Sequence, residues 1–278
     1  MKKDISISPY YFFNPIYFFK HFWQHQNLIR QFTIREIQLK YRGSFLGIIW
    51  SFLNPILMLA VYSFVFSVIF EGKWRLSSNN QFEFSIILFS GLILFGIFTE
   101  CLNKSPSVVS ANVNYVKKVV FPLEILPLVN LITSLAHAMI SMVILLIAIN
   151  LFLDFSSWQV VLSVFSLIPM LMLTLGFSFL ISALGVYIKD IAYTVVVFTN
   201  ILVYLTPVFY PISAVPQFMR DIMYFNPLTM IVENFRNVII WSNQPSWSGI
   251  IIVMIISYTI MVLGLIIFKK LESGFSDI

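Results

Sequence analysis

Between Arg42 and Glu71 the chain carries no charged residue. A helix that crosses a bilayer needs roughly 20 predominantly apolar residues, so this run is long enough to span. It is entered through a basic segment, "KYRGSFLGIIWSFLNP", and Asn54-Pro55 interrupts it early. The fold must therefore provide a charged entry, a long apolar span, and a position inside it that lacks a backbone donor.

The rest of the chain repeats the apolar pattern. Of 278 residues, 59% are hydrophobic and 10% charged, and the mean hydropathy is +0.90. Soluble domains carry about 25% charged residues, so the class is an all-α integral membrane protein. Five further candidate spans follow the first (about 44–70): about 84–103, 125–153, 158–188, 191–209 and 247–268. Residues 210–245 are too apolar for a surface loop and too broken, by Pro211, Pro216 and Asn226-Pro227, for an ordinary span. Backbone at membrane depth must find its partners inside protein or in a wet cavity, so short re-entrant helices are expected there. This divides the chain into an N-terminal region (1–43), a transmembrane domain (44–268) and a tail (269–278).

Charge sets the orientation. With six transmembrane helices and the N-terminus in the cytoplasm, all 17 basic residues except Lys73, Arg75, Arg220 and Arg236 fall inside, as the positive-inside rule requires. A seventh span would put Lys269-Lys270 outside. The net charge of +5 is thus a topology signal, and no nucleic-acid partner is expected. The N-terminal "MKKDISISPYYFF" lacks an apolar stretch followed by a small-residue cleavage site, so no cleaved signal peptide is expected. Asn14-Pro15 reads as the start of an interfacial helix on the cytoplasmic surface, with Ile16, Phe19, Phe22 and Trp23 on one face and Lys20, His21 and Gln24 on another. The following "LIRQFTIREIQLKYR" carries apolar residues on two faces, one for lipid and one for protein.

Several kinds of chemistry are missing. No G-x-x-x-x-G-K-S/T loop exists to cradle ATP phosphates. His21 and His25 have i, i+4 spacing but no companion ligands nearby, and read as solvated interfacial residues. His137, alone in the third span, reads as a hydrogen-bonding residue across a helix interface. Apart from Glu100, near the inner end of the second span, acids lie at span ends or in loops, which weakens secondary transport and embedded hydrolysis. Cys101 is the only cysteine and can form no intrachain disulfide.

Arg35, Lys40, Arg42 and Ser44 stand at the membrane entry, where such cations attract anionic headgroups by about 1 kcal/mol each. They serve orientation, and also suit docking of a lipid headgroup. Gly43 and Gly47 read as a close-approach pair, and Pro55 as a kink, with Asn54 bonding a freed carbonyl. Trp50, Asn54, Tyr62, Phe66, Tyr204, Phe209, Tyr210 and Tyr224 are candidates for lining a path, since aromatic faces give sugars weak, slippery contact. Lipid-facing belts are the alternative reading of the aromatics. Glu233 and Arg236 are spaced to pair.

"RQFTIREIQLKYRGSFLGIIWSFLNPIL" resembles the entry to the first span of type-2 ABC transporter permeases of the polysaccharide-export branch. Arg35, Tyr41, Arg42, Ser44, Leu46, Gly47, Trp50 and Pro55 carry the likeness, and Glu36 replaces a usual Asp. "NYVKKVVFPLEILPL" is similar to that family's segment between the second and third spans, with Leu123 where Arg is common. "GVYIKDI", "TPVFYPISAVP" and "FNPLTMIVENFR" follow in family order. The resemblance implies a homodimer working with two copies of an ABC ATPase. It implies ATP and Mg on that partner, with no cofactor in this chain. It implies a lipid-linked polysaccharide (O-antigen, capsule or teichoic acid) as cargo, and a place in the cytoplasmic membrane. Residues 111–121 would be the coupling segment on the ATPase, with Asn112, Tyr115, Lys117 and Lys118 as its contacts. Export of another lipid or a drug, a membrane-embedded transferase on lipid-linked sugars, and an ATP-independent flippase are the competing readings.

Overall fold

The computed structural model describes residues 14–65, 82–116, 121–153 and 158–277, and these contain helices and turns but no strand. The helices are α1 (Pro15–Gln24), α2 (Gln26–Tyr41), α3 (Trp50–Phe64), α4 (Glu83–Val108), α5 (Val113–Val116), α6 (Ile125–Phe152), α7 (Val164–Tyr187), α8 (Ile191–Leu202), α9 (Gln217–Tyr224), α10 (Pro227–Ile239) and α11 (Trp247–Leu271). Among the described residues, five segments are long and apolar enough to cross a membrane: Gly47–Phe64, Glu83–Val108, Ile125–Phe152, Val160–Tyr187 and Trp247–Phe275. In the fifth expected span, about 191–209, the helix stops at Leu202. Its 12 residues reach roughly 18 Å, short of a hydrocarbon core of about 30 Å.

Helix α4 is the hub. It packs against α3, α6, α7, α8 and α10, and buries most of its apolar side chains together with Ser85, Ser90 and Ser105. Apolar burial alone cannot join helices in lipid, so packing and polar ties must do so. One such tie is a buried knot: Asn130 Nδ2 on α6 donates to the Cys101 carbonyl (2.8 Å) and to Ser105 Oγ (3.3 Å), and Ser105 Oγ meets Ser178 Oγ of α7 at 2.8 Å.

Among the described residues, helices α7 and α11 make the most extensive pairing, and glycines face each other across it. A Cβ on Gly176 would lie 2.7 Å from the backbone of Ile260 and Met261, and one on Gly264 would run into the Gly176 carbonyl. Backbone cannot rotate aside as a side chain can. Gly264→Ala is therefore expected to cost about 1–3 kcal/mol through overpacking, read as a lower melting temperature of the detergent-solubilised protein.

Helix α3 lies at the edge, with only Ser51 and Pro55 of its residues buried. It runs through Pro55 as a continuous helix. Asn54 makes no bond to a freed carbonyl among the described residues, and its side chain lines a cavity instead. Gly43 (φ 84°) and Gly47 (φ 53°) correct a second expectation. Nothing within 4 Å would meet a Cβ at either, so they are turn residues in the link from α2 to α3 rather than a helix-approach pair.

Helix α1 keeps the expected start; of its expected apolar face only Phe22 and Trp23 can be placed, the Ile16 and Phe19 side chains lying outside the described residues. Helix α1 begins at Pro15. Phe18 and Phe22 are buried, whereas Trp23 is 71% exposed. His21 is not solvated: its Nε2 lies 2.7 Å from Glu124 Oε1 at the start of α6. Helix α2 does present two faces, with Ile29 and Phe32 buried and Ile34 and Leu39 exposed.

Between α8 and α11 the chain turns at residues 203–210, then forms α9 and α10. Asn226 caps α10 through Leu228 N (3.1 Å), with Pro227 in the first turn, the arrangement in which a missing N–H costs least.

Candidate functional site

A cavity of about 380 Å³ opens between the α2–α3 corner and the α4–α6 pair. It is lined by Lys40 and Tyr41 of α2, Trp50, Asn54 and Tyr62 of α3, Glu100 of α4 and His137 of α6. Four elements meet here because α3 stands off from α4 at its edge position, leaving the side chains between them unfilled.

At one end three ionisable groups converge. Lys40 Nζ donates to Glu100 Oε1 at 2.8 Å, and His137 Nδ1 lies 2.7 Å from the same oxygen and 3.0 Å from Lys40 Nζ. A carboxylate only accepts and an ammonium only donates, so Nδ1 serves one at a time. With a proton it donates to Glu100; without one it accepts from Lys40. His137 Nε2 is buried and has no partner among the described residues, and the Tyr41 ring sits edge-on to the imidazole at 5.9 Å. Among the described residues no group of three His, Cys, Asp or Glu is placed to hold a metal ion. The arrangement offers donors, acceptors and aromatic walls, which suit a hydroxyl-rich ligand held loosely.

His137 was legible as an interface residue, but the three-way cluster was not. Its only sequence signal is a pair of isolated polar residues, Glu100 and His137, in otherwise apolar spans.

The entry set divides. Arg35 turns inward: its guanidinium donates to Tyr115 Oη and Asn112 Oδ1, each at 3.2 Å, and its Cζ lies 5.1 Å from the Phe32 ring centroid and 5.9 Å from that of Tyr115. Lys40 enters the cavity. Arg42 and Ser44 are exposed. Asn112 Oδ1 and Tyr115 Oη are therefore taken up by α2, while Asn112 Nδ2 donates to the Val108 carbonyl of α4, and Tyr115 also packs on Phe32 and Phe121. Lys104 Nζ adds a parallel tie to Glu36 at 2.6 Å. Lys117 and Lys118 lie outside the described residues.

The aromatic set divides as well. Trp50, Asn54 and Tyr62 share the cavity. Tyr204 and Phe209 stack at 5.7 Å beyond the end of α8, and Tyr210 Oη donates to the Tyr204 carbonyl. Tyr224 is exposed on α9, and Phe66 lies outside the described residues. Glu233 and Arg236 do pair, at 3.5 Å.

A third cluster was not anticipated. Glu124 sits just before α6 and is 1% exposed. Its Oε1 meets His21 of α1 and its Oε2 meets Lys269 of α11, each at 2.7 Å. Lys269 also pairs with Glu272 at 2.9 Å. Burial opposes ionisation of Glu124, but the His21 hydrogen bond and the Lys269 charge overcome it and hold the carboxyl down at about 2.

Comparison with known proteins gives this geometry its context. The chain is 25% identical over 257 residues to the O-antigen export system permease protein RfbA of Myxococcus xanthus, covering 92% of this chain and 96% of that protein. A Klebsiella pneumoniae protein of the same name is 25% identical over 254 residues, covering 91% and 95%. The polysialic acid transport protein KpsM of Escherichia coli is 22% identical over 211 residues, covering 74% and 78%. The sequence model for the ABC-2 type transporter matches residues 27–240, from the start of α2 to the end of α10, and takes in every element that lines the cavity. By that match the chain belongs to the ABC-2 type transporter family.

Proposed function

We propose that this chain is the membrane-spanning permease subunit of an ATP-driven exporter that carries a lipid-linked cell-surface polysaccharide across the cytoplasmic membrane. The observation that carries this reading is the agreement of relatives matched over most of their length, whose names specify O-antigen export and polysialic acid transport. The cavity supports it, since its aromatic walls and mixed donors and acceptors suit a glycan that must slide rather than stay bound.

In this reading both termini are cytoplasmic. Helix α8 with the turns after it serves as the fifth of six spans, and α9 and α10 are re-entrant from the outer side. Two copies associate, and the exposed apolar side chains of α3, such as Phe52, Ile56 and Val61, suit a second copy or lipid. Two ATPase subunits bind ATP and Mg, and this chain binds neither. Residues 111–121 contact the ATPase. Arg35 holds Asn112 and Tyr115 against α2, so that a push on this segment reaches α2 as well as the start of α6. Arg42 and Ser44 remain free to meet lipid headgroups at the entry.

The test is a mild-detergent pull-down of the tagged chain from its native membranes, with mass spectrometry of what accompanies it. A stoichiometric soluble subunit with an ATP-binding loop is expected. Its absence, under conditions that keep other ABC complexes whole, rejects the reading. Deletion of the gene is expected to leave lipid-linked glycan accumulating inside the cell. Charge reversal at Lys117 and Lys118 is expected to weaken ATPase association about tenfold, the loss of one or two charge pairs across an interface. Unchanged co-purification in a salt titration removes these lysines from the contact.

A further inference from the structure

Arg236, in the last turn of α10, is the largest fully buried side chain in the described chain, 2% exposed, in a protein whose surroundings are mostly hydrocarbon. A buried guanidinium is tolerated only when its donors are matched. Here the matching is unusual, because most of the acceptors are backbone carbonyls of other elements. Nε donates to Ile87 O of α4 at 3.2 Å. Nη1 donates to Pro207 O and, at 3.5 Å, to Glu233 Oε1. Nη2 donates to Val208 O at 2.8 Å.

Pro207 and Val208 lie in the turns where α8 has ended. Neither carbonyl receives a backbone amide among the described residues. Left so, two such groups away from water would each cost free energy. The guanidinium fork supplies what the missing helix turn does not. Its planar shape lets one side chain reach both carbonyls and α4 together, which a single ammonium cannot do.

The clamped pair lies between Tyr204 and Phe209 in sequence. Those rings stack across it at 5.7 Å with 26° between their planes. Tyr210 closes the same loop by donating to the Tyr204 carbonyl. Tyr204 is itself 65% exposed, so the stack presents an open aromatic face. Space for the clamp comes from α4: a Cβ on Gly91 would collide with Arg236 Nη2.

We propose that Arg236 is a positioning residue for the Tyr204–Phe209 stack, holding it as a fixed aromatic platform through the carbonyls of Pro207 and Val208. The platform's role as a surface for the moving glycan rests on the proposed function; the positioning does not. Arg236 itself touches no cargo. Its partner in the design is Gly91, whose missing side chain is part of the clamp.

The test uses the permease purified with its ATPase. Tyr204→Cys is labelled with a small methanethiosulfonate reagent, with the exposed Ser248→Cys at the start of α11 as the control; the native Cys101 is buried. Arg236→Lys keeps the charge and loses the fork, and Gly91→Ala displaces the guanidinium. Each is expected to change the labelling rate at position 204 about tenfold, the loss of one charge-assisted hydrogen bond, and to leave position 248 unchanged. Export is expected to fall in the same two variants, and Arg236→Lys is expected to cost nothing more in a Tyr204→Ala/Phe209→Ala background. An unchanged rate at position 204, an equal change at position 248, or failure of both variants to assemble each overturns the positioning role. A changed rate at 204 with normal export upholds the positioning and instead counts against the glycan path.

Discussion

Replacing Glu124 by alanine is expected to destabilise the folded chain by about 3–5 kcal/mol, the usual cost of removing one partner from a buried ion pair. The size follows from position. Glu124 is almost wholly buried, and its two oxygens serve two different helices, α1 through His21 and α11 through Lys269. Alanine leaves Lys269 with Glu272 alone and leaves His21 without its carboxylate. Helix α1 then loses a polar anchor to the bundle. In a detergent-solubilised sample the apparent melting temperature is expected to fall by roughly 10 °C. Glu124→Gln keeps an acceptor but not the charge, and is expected to lie between.

The same residue fixes an acid response. Its folded-state pKa is depressed, from 4.5 to about 2. The stability it contributes is therefore fully present above 4.5 and is lost as pH falls from 4.5 towards 2. Unfolding followed over that window should show a fall in wild type that is smaller in Glu124→Gln. A melting temperature unchanged by Glu124→Ala would remove the cluster from the account of how α1 is held.

Trp50→Ala combined with Tyr62→Ala is expected to cut export about tenfold or more, taking each aromatic contact as worth about 0.5–1.5 kcal/mol. Both side chains line the cavity, and neither is buried in the core. Their removal should enlarge the cavity without unseating any helix, so the complex with the ATPase should assemble at wild-type yield. Surface glycan measured by blotting, together with glycan retained inside, separates a transport defect from a synthesis defect. Trp50→Phe with Tyr62→Phe keeps the aromatic walls and should retain most of the flux. Normal surface glycan in the alanine pair would argue that these rings face lipid or a second copy of the chain, and that the path lies elsewhere.

Hydropathy and charge determined much by themselves. They pointed to the all-helical membrane class, to apolar runs of which five coincide with long apolar helices among the described residues, and to the proline-broken region that became α9 and α10, because run length and charge density are local properties of a chain. The order of motifs from Arg35 to Arg236 pointed to the family for a similar reason: it needs no coordinates. Partnership was different. Lys40 meets Glu100 and His137, which lie 60 and 97 residues away, and Glu124 meets Lys269 at 145. Nothing local selects such pairs. They depend on how each helix is rotated about its axis and where it crosses its neighbours, and packing sets both. Contacts such as the Gly176–Gly264 crossing fix the axes. Hence the aromatic residues formed one list in the sequence and separate groups in the structure, a cavity behind α3 and a stack beyond α8. Arg236, spaced to pair with Glu233, proved to spend most of its donors on backbone carbonyls, two of them left open where α8 ends and one on α4.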